Sequence, residues 1–305
     1  MVNVATTHDT RWPSGATLLR DGVAKDRRNV GLLGISTYAT SVTPRSSTST
    51  PAAVRAALKR FSTWSFSDGI DLADTMCVVD YGDVTDPDGP GGIDRVRTAI
   101  GGFDDALELS AVLGGDNAAT WYALQALGGS DLSNYGLVTL DAHLDLRDGE
   151  SNGSPVRQLL EAGLVGSHVV QVGLADFSNS AFYASRARDE GITIISRDQL
   201  RTITVEEAAR RALAIAGAGA RPVYVDIDMD AADRSVAPGC PAAAPGGFSA
   251  DEMRRFVRAV TTDPRVSAID ITEIDVERDD PDQRTVRLAA LLVLEALAGV
   301  RRRQP

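Results

Sequence analysis

The chain has 305 residues, 43% of them hydrophobic, and a formal net charge of -11. Length and apolar content of this order support a large packed core and exclude a disordered or fibrous chain. The acidic balance speaks against nucleic acid or an anionic membrane surface as a partner, and no apolar run reaches the roughly 20 residues of a membrane span.

In chain order, the opening MVNVATTHDTRWPSG is polar and lacks an apolar segment. We read residues 1 to about 25, His8 included, as a polar extension that is neither signal peptide nor anchor, on one domain spanning 1–305. Short apolar runs then alternate with stretches of helical period, the mark of βα units around a mostly parallel sheet. Eight strands are expected, at residues 30–36, 76–81, 111–115, 136–141, 168–173, 192–196, 221–228 and 266–271. Thr50 and Pro51 open a helix carrying Val54, Leu58 and Phe61, Ser249 and Glu252 form a capping box, and a last helix is expected over 282–298. Two segments, 144–154 and 229–248, are long for connectors, which in a compact α/β domain points to function. Cys77 and Cys240 are too few for a disulfide framework, so the expected compartment is the cytoplasm.

In open α/β sheets ligands bind beyond the carboxyl ends of the strands. Those ends carry Asp116 and Asn117 (GGDNAAT), Asp141, His143 and Asp145 (DAHLD), Asp176 (GLAD), Asp226, Asp228 and Asp230 (DIDMD) and Glu273 (ITEID). A lone strand-end Asp is most often a helix cap, and that reading suits Asp116. DAHLD and DIDMD are different, because alternate residues of an extended segment face one point. So many ionised carboxylates converge only around cations, and oxygen-rich ligation with little nitrogen and no thiolate favours Mn²⁺ or Mg²⁺ over Zn²⁺. His168 reads as structural, Cys240 as a packed loop residue, and the glycines of 217–220 precede a strand, which rules out a dinucleotide fingerprint.

The ordered set GGD, DAHLD, DIDMD with a Pro/Gly loop (APGCP, then PGG) and a late EID resembles the arginase, or ureohydrolase, family over nearly the whole chain. Within it, DLR at 145–147, NGSPVRQL from 152 and DFSNS at 176–180 are similar to the formimidoylglutamase branch. The resemblance implies a three-layer αβα arginase-like fold with a mostly parallel eight-stranded sheet, two Mn²⁺ sites, a small-molecule substrate and a homo-oligomer. For that branch the implied reaction is hydrolysis of N-formimidoyl-L-glutamate to L-glutamate and formamide in histidine degradation, by water activated at the metals. The alternatives are another ureohydrolase, acting on a guanidino acid or agmatine, and a metal-depleted homologue that binds a ligand or partner without catalysis. The implied ligands are Asn117, Asp141, His143, Asp145, Asp228 and Asp230, with Asp226 behind them and Asp233 leading into the loop. Asn117 stands where most members have histidine, so its side of the cluster is expected to be the weak one, made of Asp141, Asp145 and Asp230, with His143 and Asp228 on the tight side. Asp145 would also shuttle a proton, Glu273 would meet the amidinium, and Arg147, Asn152 and Asn179 would bind the rest of the substrate, Arg147 through a carboxylate.

Overall fold

The structure, a computed structural model, describes residue 9 and residues 11–44 and 49–304. His8 lies outside the described residues. The strands are β1 (Leu19–Arg20), β2 (Arg28–Ile35), β3 (Trp64–Ser65), β4 (Ile70–Asp71), β5 (Met76–Asp83), β6 (Leu107–Gly114), β7 (Gly136–Leu140), β8 (Val169–Leu174), β9 (Thr193–Ser196), β10 (Val223–Asp228) and β11 (Val266–Thr272). The α-helices are α1 (Thr50–Ala57), α2 (Leu72–Thr75), α3 (Gly92–Gly101), α4 (Ala118–Gly128), α5 (Pro155–Glu161), α6 (Ala181–Asp189), α7 (Val205–Ala216), α8 (Ala250–Thr261) and α9 (Arg284–Arg301).

Nine strands form the main sheet, in the order β1-β5-β2-β6-β11-β10-β7-β8-β9, and every pairing in it is parallel. The eight expected strands are all present. The count is corrected to nine by β1, a two-residue edge strand inside the stretch expected as a polar extension; Leu18 is buried beside it. A separate hairpin pairs β3 with β4.

The central strands are almost continuously apolar because both faces of the sheet are covered. On one face α1, α7, α8 and α9 pack through residues such as Val54, Ala212, Phe256 and Leu297. On the other α3, α4, α5 and α6 pack through Val96, Ala123, Leu159 and Ala187. The layers are therefore αβα. The expected capping box opens α8: the Ser249 hydroxyl accepts from the Glu252 N–H, and the Glu252 carboxylate accepts from the Ser249 N–H at 2.8 Å. The last helix is longer than expected, because its apolar positions continue to Val300.

Candidate metal centre

Strands β6, β11, β10 and β7 are consecutive in the sheet, and the candidate residues follow their carboxyl ends. Asp141, Asp145, Asp228, Asp230, Glu273 and Asn117 are all buried. Two sets of donor atoms converge, each within 4.8 Å: Asp141 with His143 and Asp230, and Asp141 with Asp145 and Asp228. Asp141 belongs to both.

This corrects the expected partition. His143 Nδ1 lies 2.7 Å from Asp230 Oδ2, so the imidazole sides with Asp230, and Asp228 sides with Asp145. DIDMD does not stay extended. β10 ends at Asp228 and a 3-10 turn takes over at Met229, with the Asp230 N–H donating to Asp228 Oδ1 at 2.7 Å. DAHLD also leaves the strand: the His143 N–H folds back onto Asp141 Oδ1 at 2.6 Å, and Asp145 has a φ of 52°. The three residues meet through a bend, and strand alternation is not what aims them.

Electrostatics explains what the cluster wants. Burial, then the Asp230 carboxylate, raises Asp141 to about 7. Burial raises Asp145 and Asp228 well above the ordinary carboxylate range, with repulsion from Asp141 and from Asp230 next in size. Burial opposes a charge on His143, yet Asp230 and Asp141 together hold its proton up to about 11. Asp141 Oδ2 is buried and has no hydrogen-bond partner among the described residues. A shared carboxylate with an unsatisfied oxygen, among crowded acids and one imidazole, is the donor set of a hard to borderline divalent cation, and the residues fit manganese.

Asn117, expected as a weak ligand, is turned the other way. Its Nδ2 donates to Asp145 Oδ2 at 2.6 Å, while its Oδ1 accepts from Thr120 Oγ1 at 2.9 Å and Thr272 Oγ1 at 2.8 Å. In this arrangement Asn117 orients a cluster carboxylate through its Nδ2. Thr120 and Thr272 are functional neighbours that carry no sequence signal, since hydroxyls on a helix and a strand read as ordinary packing.

Glu273 sits at a φ of 62° just past β11, and its Oε1 accepts from the Asn117 N–H at 2.9 Å and from Asn152 Nδ2 at 2.7 Å. An unstrained Glu rarely adopts this conformation, and such backbone strain concentrates at functional sites. Asn152 thus reaches the site through Glu273. Asn179, expected to bind substrate, lines the same cavity as Arg147 and braces the metal motif: its Oδ1 accepts from the Leu144 N–H at 2.9 Å and its Nδ2 donates to the Ala142 carbonyl at 3.0 Å. Asp226 lies opposite Asp270 in the sheet register, outside both donor sets. Asp116, expected as a helix cap, accepts from the Ala118 N–H at 3.2 Å but lies one residue before the N-cap of α4, which is Asn117, and Asp176 is exposed on a separate cavity.

The centre opens into a cavity of about 500 Å³ lined by His143, Asp145, Arg147, Asn152, Asp228 and Glu273 among others. The 229–248 segment forms one wall through Pro241 and Ala242. Asp233 pins that segment by accepting from the Ser235 and Gly246 N–H groups at 2.8 and 2.7 Å. Gly247 lets it close, since a Cβ there would fall 2.4 Å from the Ala231 carbonyl. Arg147 is exposed at the cavity's other side, and among the described residues its guanidinium makes no ion pair.

The comparisons with known proteins agree with this geometry. Formimidoylglutamase of Halalkalibacterium halodurans is 32% identical over 278 residues, 88% of this chain and 86% of that protein; the Bacillus subtilis enzyme of the same name is 30% identical over 288 residues, 91% and 89%. The crystal structure of formimidoylglutamase from B. subtilis superposes with a TM-score of 0.88 at 26% identity, covering 100% of this chain and 97% of that one. Trypanosoma cruzi formiminoglutamase with Mn²⁺ shares the fold at a TM-score of 0.84 and 22% identity, covering 96% and 100%. The arginase family model matches residues 28–299, and the chain belongs to the arginase family.

Proposed function

We propose that this chain is a manganese-dependent hydrolase that converts N-formimidoyl-L-glutamate and water to L-glutamate and formamide, a step of histidine degradation. The observation that carries the reading is the pair of donor sets sharing Asp141 in a cavity also lined by Arg147, whose guanidinium is unpaired among the described residues. Sequence identity of about a third to formimidoylglutamases over most of the chain supports the substrate.

Asp141, His143 and Asp230 would hold one Mn²⁺, and Asp141, Asp145 and Asp228 the second, which lacks an imidazole and is the weaker. When bound, such a pair supplies a nucleophile from water at neutral pH and polarises the reacting group. The rest is the work of this chain's side chains. Glu273, held by Asn117 and Asn152, accepts the N–H of the cationic formimino group and fixes its carbon over the donor sets. Asp145, kept in place by Asn117, takes a proton and returns it to the departing amine. Arg147 pairs with a substrate carboxylate, where its planar fork matches the geometry. Asn179 supports by holding the Ala142 to Leu144 backbone.

The unit of function is one arginase-like domain over 1–305, working on a small molecule as a homo-oligomer in the cytoplasm. Among the described residues no helix is long and apolar enough to cross a membrane, and both cysteines are free and buried, in keeping with a reducing compartment. Purified protein loaded with Mn²⁺ and given N-formimidoyl-L-glutamate should release glutamate and formamide. Urea from agmatine or a guanidino acid, with formimidoylglutamate untouched, would overturn the substrate.

A further inference from the structure

Around Arg147 the backbone has no regular structure, yet its carbonyls are held by two other arginines. Arg157, on α5, donates through Nε to the Arg147 carbonyl at 2.7 Å and through Nη2 to the Gly149 carbonyl at 2.6 Å, with Nη1 on Glu161 at 2.6 Å. Its side chain is only 13% exposed. From α6, Arg186 Nη1 donates to the Leu146 carbonyl at 3.0 Å and to Asp148 Oδ1 at 2.9 Å. The Asp148 N–H donates to Tyr183 Oη, also on α6, at 3.2 Å, and the Arg147 N–H is tied to the Gly153 carbonyl at 3.0 Å. Three of the four carbonyls from Leu146 to Gly149 are thus clasped by guanidiniums from two helices, while the guanidinium of Arg147 itself makes no ion pair among the described residues.

We propose that Arg157 and Arg186 are positioning residues for substrate recognition: they clasp the loop so that Arg147 meets a substrate carboxylate already in place. The proposal rests on the substrate reading above. A loop at Gly149, whose φ is 79°, is intrinsically free to wander, and an anchor on a wandering loop loses affinity to the ordering that binding then requires. Arg157 presents Nε and Nη2 to the two carbonyls as a rigid planar fork, a geometry the flexible ammonium of a lysine does not hold.

The test uses Mn²⁺-loaded enzyme and N-formimidoyl-L-glutamate, with Arg157→Met, Arg157→Lys and Arg186→Met made both in the native chain and in Arg147→Ala. Arg157→Met should raise KM by about fivefold, the equivalent of one loop residue's backbone ordering, with kcat within about twofold and manganese per chain unchanged. Arg157→Lys should recover only part of that loss, and Arg186→Met should repeat it if Arg157→Met folds poorly. In the Arg147→Ala background the same substitutions should add less than about twofold, because residues acting through one group are not additive. An unchanged KM, a full KM penalty without Arg147, or a loss confined to kcat and metal content would each overturn the proposal. If the native chain does not hydrolyse this compound, the substrate reading falls separately. Hydrogen exchange of the 146–150 amides then still decides the clasp, since unaltered exchange in Arg157→Met refutes it.

Discussion

Asp141 is the residue on which both donor sets depend, and that sharing sets an order among variants. A ligand at one hundred times its Kd stabilises a fold by about 2.7 kcal/mol, so two filled sites are worth about 5 kcal/mol. For a chain of 305 residues each kcal/mol moves Tm by roughly 2 °C, extrapolating the trend for somewhat smaller domains, giving a rise of about 10 °C. His143→Ala removes a member of one set only and should keep about half of the rise, whereas Asp141→Asn weakens both and should keep almost none. The metal-free proteins should rank differently. The folded pKa of Asp141, about 7 against an ordinary 3.8, means that its ionisation costs the metal-free fold stability as pH climbs from about 4 to 7. Metal-free Asp141→Asn should therefore melt at or above the metal-free native chain at pH 8. Lowering the pH to 6, below the value of about 7 for Asp141, keeps a proton on it that Mn²⁺ must displace, so the native rise should shrink. Scanning fluorimetry of chelator-stripped protein against added MnCl₂ measures all of this. Equal shifts in His143→Ala and Asp141→Asn, or a native shift that grows on acidification, would refute the shared-carboxylate argument.

Arg147→Ala should lower kcat/KM for formimidoylglutamate by more than about tenfold, since truncating one partner of a charged pair costs about 2 kcal/mol or more, with manganese unchanged by elemental analysis; unaltered kinetics would place the carboxylate anchor elsewhere. Gly153→Ala would set a Cβ 2.9 Å from Arg147 Cδ; because that atom belongs to a flexible side chain, Tm should hold while KM rises, and a large fall in Tm with unchanged KM would show that the contact is structural. Glu273→Gln, which keeps an acceptor for the Asn117 and Asn152 donors but loses the charge, should cut kcat by about a hundredfold. Steady-state kinetics retaining more than about a tenth of kcat would remove Glu273 from the amidinium's side.

The sheet and its acidic rim were legible because they follow from local rules. Apolar runs such as GLVTL (136–140) and VYVDID (223–228) announce buried strands, and acids placed directly after them announce a site. What stayed hidden depends on places where the chain stops being regular. The partner of His143 could not be read because DIDMD passes from strand to 3-10 turn at Met229, which rotates Asp230 out of the alternation that would have paired Asp228 with the imidazole. The rotation of the Asn117 amide is set by Thr120, three residues on, together with Thr272, 155 residues on. The positive φ values of Asp145, Phe177 and Glu273 have no signature in side chains that ordinarily avoid them. β1 was missed because two residues carry no period, and the clasp of Arg157 and Arg186 because arginines that bind carbonyls look like any solvated charge.

The spacing of strands explains why a cluster so costly without a cation belongs at this rim. Neighbouring parallel strands lie about 4.8 Å apart. Ile227 of β10 pairs with Leu140 of β7, so the residues that follow, Asp228 and Asp141, leave the sheet side by side. At that separation two buried carboxylates repel strongly enough to force protonation, but one cation between them is in reach of both. Asp226, two residues back on β10, faces Asp270 of β11 in the same register. There Tyr224 and Thr120 hydroxyls donate to Asp270 at 2.7 and 2.8 Å. The same juxtaposition of acids is thus met by protons and hydroxyls inside the sheet, and beyond its edge, where a cavity admits ions, by a site open to metal. One strand motif, DIDMD, supplies both layers, and depth along the strand decides which chemistry each acid serves.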